Sequence, residues 1–255
     1  MDLEKRNPSV LELAMSDIGS HTDYYNAAHE DFAYPNLLQL ERATRILEVI
    51  RSTGIRSPKI CDLGSGPGWF TAVLGVFGPT VGVDLSDVAT KQAAARYPLA
   101  HFACADILSW RPPKNKFDII VSQEVVEHLS DHERHISMAY EMLRPGGSLI
   151  LTTPNARTMK ATPEHVRRAW TNQPVENYMS QSALRSLLMR YFTEVKLDSM
   201  ILGLGSAGLY RVVNSTKVRQ ALKTVGLAKA WTSAACKANF GLHLLASGRK
   251  PRTSP

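Results

Sequence analysis

The sequence predicts an α/β protein built on one doubly wound, mostly parallel, seven-stranded sheet with a helical N-terminal lid. Three observations carry that prediction. Short apolar runs alternate with spans that are mostly long enough for a helix, the first run ends in a cluster of glycines, and the composition is that of a single globular domain. The chain has 255 residues, 44% hydrophobic and 21% charged, enough to bury a large core without disulfides or metal staples.

The five apolar runs are residues 59–63 (KICDL), 80–85 (TVGVDL), 101–107 (HFACADI), 117–122 (FDIIVS) and 148–153 (SLILTT). Parallel neighbours need long crossovers between them, and right-handed crossovers leave few topologies. Two later apolar segments, near residues 193–202 and 239–246, are expected to add two strands at one edge. Ahead of the first run, Leu37, Leu40, Ile46, Leu47 and Ile50 recur at roughly helical spacing and Gly54 marks a stop. Residues 1–36 are polar and aromatic by turns, with Tyr24, Tyr25, His29, Phe32 and Tyr34 gathered before Pro35, and read as a lid or cap. Residues 37–255 then form the main domain, with a basic C-terminal part. A helix is expected over residues 182–191, and no internal repeat is present.

Cys61, Cys104 and Cys236 are odd in number and lack CxxC spacing, which argues against both a disulfide framework and a zinc site and suits a reducing compartment. The opening MDLEKRNPSV lacks the apolar run of a secretion signal, and a cytoplasmic location is expected. Charge is uneven. Residues 157–255 hold 16 Lys and Arg against 4 Asp and Glu, residues 1–156 hold 14 against 19, and no acid follows Asp198. A basic half of this kind serves nucleic acid, an anionic lipid surface or an acidic ligand, or forms a solvated face.

The strongest local signal is Ile60-Cys61-Asp62-Leu63-Gly64-Ser65-Gly66-Pro67-Gly68, a strand running into a glycine-rich turn with a helix beginning near Trp69. Glycines let the backbone approach a ligand, and the exposed N–H groups of the turn favour an electron-rich partner. About twenty residues on, Asp84 closes the second strand, where a carboxylate accepts hydrogen bonds from the two hydroxyls of a ribose. Nicotinamide and flavin enzymes share this geometry. Here, however, the turn reads GxGxG rather than GxGxxG, and Asp62 precedes it, a charge that suits a cationic amine and disfavours a pyrophosphate.

Taken in order over residues 59–155, these pieces resemble the class I S-adenosylmethionine-dependent methyltransferases. The resemblance implies a Rossmann-like fold with S-adenosylmethionine as cofactor. It also implies that Asp62, Gly64, Ser65, Gly66 and Gly68 wrap the methionine part and that Asp84, with Leu85, holds the ribose. Asp106 and Ile107 would flank the adenine, and Gln123 would line the methionine pocket. Residues 124–128 (EVVEH) together with Thr153-Pro154-Asn155 resemble two groups in particular, the ubiquinone-biosynthesis O-methyltransferases and the enzymes that methylate the 3′ ends of small RNAs. In those groups the ExxEH segment binds a divalent metal with a further histidine downstream. Gln173 stands where that histidine would be, so no metal is expected, with Mg²⁺ or Mn²⁺ on Glu124, Glu127 and His128 as the alternative.

Glu124, Glu127 and His128 are spaced to share one helical face at the carboxyl edge of the sheet, where doubly wound folds bind ligands. His128 is the expected base, because its unperturbed pKa lies near neutrality. His132 and His135, on a charged helix, are expected to be solvated. Tyr24 and Tyr25 on one wall, and Trp170 and Gln173 on the other, are the expected acceptor-binding residues, with Tyr178 near the second wall. The expected activity is methyl transfer to a small-molecule acceptor at a hydroxyl oxygen. The alternatives are N- or C-methylation, RNA methylation through the basic half, cofactor binding without turnover, and a nicotinamide dehydrogenase. Residues 199–255 hold only Tyr210, Trp231 and Phe240 as aromatics, which disfavours RNA. Over residues 212–235, Val218, Leu222, Val225 and Trp231 recur at helical spacing among Lys217, Arg219, Lys223 and Lys229, interrupted by Gly226. This segment suits peripheral contact with an anionic membrane and suits packing on the core equally.

Overall fold

A computed structural model describes residues 21–29, 34–107, 109–110, 113–171 and 176–252. Its centre is a seven-stranded sheet of order β3-β2-β1-β4-β5-β7-β6. The strands are β1 (Ile60–Leu63), β2 (Thr80–Asp84), β3 (His101–Cys104), β4 (Phe117–Gln123), β5 (Leu143–Pro154), β6 (Thr193–Met200) and β7 (His243–Arg249). β1 to β5 pair in parallel, whereas β7 runs antiparallel to both its neighbours. The two late apolar segments therefore do form strands at one edge, with the second starting at His243.

Alternation along the central strands explains why they read as unbroken apolar runs: both faces are covered. Ile60, Ile119, Val121 and Ile150 meet Ala43, Ile46 and Ile50 of α2 (Leu37–Ser52) and Phe70 and Leu74 of α3 (Trp69–Leu74). On the other face Cys61, Leu63, Ile120 and Leu149 meet Ile136, Ala139 and Met142 of α5 (His132–Met142) and Leu184 and Leu188 of α8 (Gln181–Met189). α4 (Asp87–Arg96) completes the wrap beside β2 and β3.

α2 begins in a capping box. Asn36 Oδ1 accepts from Gln39 N, and Gln39 Oε1 accepts from Asn36 N, both at 2.9 Å. Its buried face differs from the expected one. Leu37 and Leu40 are 76% and 43% exposed, and the inward stripe is Arg42, Ala43, Ile46 and Ile50. The true stripe steps by four from Arg42, and a charged residue at its head disguised it.

After β5 come α6 (Ala156–Lys160) and α7 (Glu164–Thr171). Between β6 and β7 stand α9 (Tyr210–Val213), α10 (Thr216–Thr224) and α11 (Ala228–Lys237). The expected interruption falls at Gly226, with φ of +74° between α10 and α11. Tyr210, Val213, Ala235 and Phe240 make a small separate core here, with Trp231 packed on it. Lys250 anchors the end of β7: its Nζ donates to the carbonyls of Tyr140 and Leu143, both at 2.7 Å, and to Asn115 Oδ1 at 3.0 Å. Of residues 1–36, expected to be a lid, helix α1 (His21–His29) and residues 34–36 belong to the described residues, whereas Phe32 does not; Gln173, expected at the other wall, also lies outside them. No helix among the described residues is long and apolar enough to cross a membrane.

Candidate functional site

The parallel strands β1, β2, β4 and β5 end at one edge, where doubly wound folds have their ligand crevice, and the segments leaving the strands meet there. Directly after β1, Gly64 and Gly68 adopt φ of +76° and +78°, the left-handed region that only glycine enters freely. Space is as tight as conformation. A Cβ on Gly64 would stand 2.2 Å from Val125 Cγ2, and one on Gly68 would stand 2.5 Å from Ala93 Cβ and 2.7 Å from the Phe102 ring. The turn is thus pressed against the end of β4 on one side and against α4 and β3 on the other.

Asp84 braces the turn. Its Oδ2 accepts from Gly66 N at 2.7 Å and its Oδ1 from Ser86 N at 2.9 Å. Each carboxylate oxygen keeps a further lone pair for a hydroxyl donor. Asp62 is buried, and its Oδ2 accepts from Thr71 Oγ1 at 2.6 Å. Burial pushes its carboxyl up to about 7, opposed by the Thr71 bond and assisted by the charge of Asp84. Ser65 Oγ is buried with no hydrogen-bond partner among the described residues. A buried hydroxyl without a partner retains the capacity for a further hydrogen bond. At the next strand end Leu85 is half-buried, and beyond β3 Asp106 is exposed while Ile107 is buried.

α1 lies across this corner. Asn26 Oδ1 accepts from Ser86 Oγ at 2.6 Å, and Asn26 Nδ2 donates to Asp87 Oδ1 at 3.2 Å. Tyr25 stacks edge-on with Tyr24 at 5.4 Å and with His128 at 6.2 Å between ring centroids. Burial first, then Tyr24, Glu127 and Asp84, push its hydroxyl pKa upward. One tyrosine therefore senses the acids at both ends of the crevice.

Residues 124–128 correct the sequence reading. They do not start a helix. Glu124 has φ of +56°, a single 3₁₀ turn covers Val126–His128, and α5 begins only at His132. The two carboxylates consequently turn to different partners. Glu124 Oε2 lies 3.4 Å from Arg42 Nη1 and 2.8 Å from His243 Nδ1, whereas Glu127 Oε2 accepts from Thr153 Oγ1 at 2.9 Å. Burial would push the Glu124 carboxyl up, but the charges of Arg42 and then His243 outweigh it and hold it at about 2. Burial and the neighbouring Glu124 charge push Glu127 the other way, well above the ordinary carboxyl range. Glu124 is the ionised member of the pair. His128 Nε2 lies 3.6 Å from Glu127 Oε1, and its side chain is 14% exposed.

The expectation for His135 fails as well. It is fully buried, Nε2 standing 3.0 Å from Ser122 Oγ, and burial with the nearby His132 pushes it down to about 4. It lies on the inward stripe of α5 with Ala139 and Met142, which the charged residues around it hide in the sequence. His132 is partly buried, and burial lowers its pKa too.

Three residues that sequence reasoning passed over complete the site: Asn26, Arg42 and His243. Arg42 Nε donates to Gln123 Oε1 at 3.1 Å. His243 is fully buried at the start of β7, opposite Pro154, and the Trp170 ring lies 5.8 Å from its own. Arg42 had a signal, a charge on an apolar helical stripe. Nothing in local sequence marks His243, because only the insertion of β7 beside β5 brings it to Glu124.

The sequence profile of the methyltransferase domain family matches residues 36–228. A trans-aconitate 2-methyltransferase of Variovorax paradoxus is 35% identical over 102 residues, 39% of either chain, so this chain spans well under half the length of that relative. A ubiquinone biosynthesis O-methyltransferase of Coxiella burnetii is 30% identical over 167 residues, covering 63% of this chain and 68% of that one. Among solved structures, an N-methyltransferase of Bradyrhizobium japonicum in complex with S-adenosylhomocysteine superposes with a TM-score of 0.59 over 96% of this chain and 97% of that one. At 20% identity this is a likeness of fold.

Proposed function

Because this chain belongs to the methyltransferase domain family, we propose that it transfers a methyl group from S-adenosylmethionine to an oxygen of a small-molecule acceptor, with His128 as the base. S-adenosylmethionine brings a methyl group already activated by its sulfonium, so positioning supplies most of the catalysis. The turn from Gly64 to Gly68 wraps the methionine part, and Asp62, once ionised, meets its ammonium. Asp84 and Leu85 hold the ribose, Asp106 and Ile107 flank the adenine, and Gln123 lines the methionine pocket. The orphan hydroxyl of Ser65 supports this fit. Tyr24, Tyr25 and Trp170 enclose the acceptor and exclude water.

The observation that carries the base assignment is the setting of His128, packed against Tyr25 at the crevice and 3.6 Å from Glu127. An acceptor hydroxyl gives its proton to the imidazole, whose ring is held between Tyr25 and the Glu127 carboxyl group. The oxygen preference is supported by the relative whose match spans 63% of this chain, an O-methyltransferase. His128→Ala should lower kcat roughly 100- to 10,000-fold while leaving S-adenosylhomocysteine affinity unchanged by calorimetry. An unaltered kcat would remove the base and favour an amine acceptor that arrives deprotonated.

The same edge supports a reading of where the acceptor is met. β6 ends and β7 begins there, so the segment carrying α9 to α11 stands beside the crevice. It exposes Leu209, Val212, Val225 and Leu227, and residues 199–242 hold six Lys and Arg with no acid. We read this as a surface for an anionic membrane that presents a lipid-like acceptor, testable by vesicle co-sedimentation.

A further inference from the structure

The resemblance of residues 124–128 to an ExxEH segment implies a divalent ion, and the donor set present does not fit one. Glu124 Oε2 already meets Arg42 Nη1 and His243 Nδ1, at 3.4 Å and 2.8 Å. Glu127 points its Oε2 to Thr153 Oγ1, 2.9 Å away. The positive φ of Glu124 breaks the helical face on which the three side chains would project together, so that Glu127 stays beside His128 while Glu124 turns to Arg42 and His243. Among the described residues, no three His, Cys, Asp or Glu side chains are grouped to hold a metal ion.

Something else answers the buried Glu124 charge. Arg42 is only 7% exposed and reaches from α2 to two consecutive residues at the end of β4, donating from Nε to Gln123 Oε1 at 3.1 Å and pairing through Nη1 with Glu124. A guanidinium stays charged at any physiological pH and presents several donors in a fixed plane, so one side chain both neutralises the carboxylate and orients the amide. It also repels a second cation from the same oxygens.

We propose that Arg42 is the resident cation of this site: it fills the role of the divalent ion beside Glu124, makes methyl transfer metal-independent, and positions Gln123 for the donor. Arg42 acts here as a positioning residue. It holds the β4 end, which in turn presses Val125 against Gly64 of the turn.

The test uses the full chain and two readouts. Titration of the wild-type protein with Mn²⁺, followed by electron paramagnetic resonance, should show no stoichiometric binding, and chelator should leave activity unchanged. Arg42→Met removes the charge at similar length and should weaken S-adenosylhomocysteine binding roughly 3- to 100-fold, the range of coupling between neighbouring groups. Arg42→Lys should recover part of that loss. Stoichiometric Mn²⁺ binding to the wild type, or chelator inactivation reversed by Mg²⁺, overturns the proposal. So does unchanged S-adenosylhomocysteine affinity in a folded Arg42→Met protein, and if that variant fails to fold, the wild-type titration still decides. The inference rests on the methyl-transfer reading only for its affinity readout. Failure to bind S-adenosylhomocysteine at all would count against that reading, whereas the ion titration stands without it.

Discussion

With its carboxyl pushed up to about 7, Asp62 changes charge across the neutral range. The raised value means that the folded state favours the protonated form, so Asp62 takes stability from the unliganded protein as pH rises from its unfolded value towards 7. A donor ammonium reverses that preference by favouring the carboxylate. S-adenosylhomocysteine should therefore bind more tightly as pH rises towards 7 and level off above it, changing by up to about tenfold per pH unit between the lowered carboxyl value in the complex and 7. In Asp62→Asn the calorimetric affinity should be lower and flat with pH, and an unchanged steep profile would place the titration elsewhere. At this scale the sequence was informative where chemistry is local. Asp62 and Asp84 flank a glycine turn, and each takes part in bracing it or the helix behind it. It was silent on His243, whose neighbour Glu124 lies more than a hundred residues earlier, and it misjudged His135, whose inward direction depends on the phase of α5.

Elements show the same division. β1, β2, β4 and β5 were visible as apolar runs, because parallel strands covered on both faces need apolar residues throughout, whereas β3, at the sheet edge with His101 and Cys104 exposed, was legible as a short run despite lacking that cover. The segment after β4 was misread as a helix because ExxEH spacing matches a helical face. One residue in the left-handed region, Glu124, breaks that face. The turn after β1 makes a sharper demand than a helix does. Gly64→Ala would set a methyl group 2.2 Å from Val125 Cγ2 at a positive φ, and such strain or overpacking costs about 1–3 kcal/mol. The melting temperature should fall and S-adenosylhomocysteine binding should weaken together. Trimming the neighbour with Val125→Ala should recover part of the loss, and no recovery would show that backbone conformation alone sets the cost.

Across the whole molecule, charge is segregated: the half that carries the turn is acidic and the half that follows β5 is basic, with 16 Lys and Arg against 4 Asp and Glu. On the lipid reading, the protein should sediment with phosphatidylglycerol vesicles and not with phosphatidylcholine vesicles at low salt, and added salt should release it. Lys217→Glu with Arg219→Glu, or Val225→Asp with Leu227→Asp, should abolish sedimentation without changing the melting temperature, because all four are surface positions, with Val225 and Leu227 exposed by more than half. Absence of vesicle binding would leave α10 and α11 as packing elements alone. The sheet order has a further consequence, for biosynthesis. β7 follows every other strand in sequence yet sits inside the sheet between β5 and β6. A nascent polypeptide still lacking residues 243–249 can assemble β1 to β5 around the glycine turn, but β6 has no neighbour and Glu124 has no His243. On the ribosome, then, the strands from β1 to β5 are all available before β6 can gain its partner, and the pairing of Glu124 with His243 waits for β7.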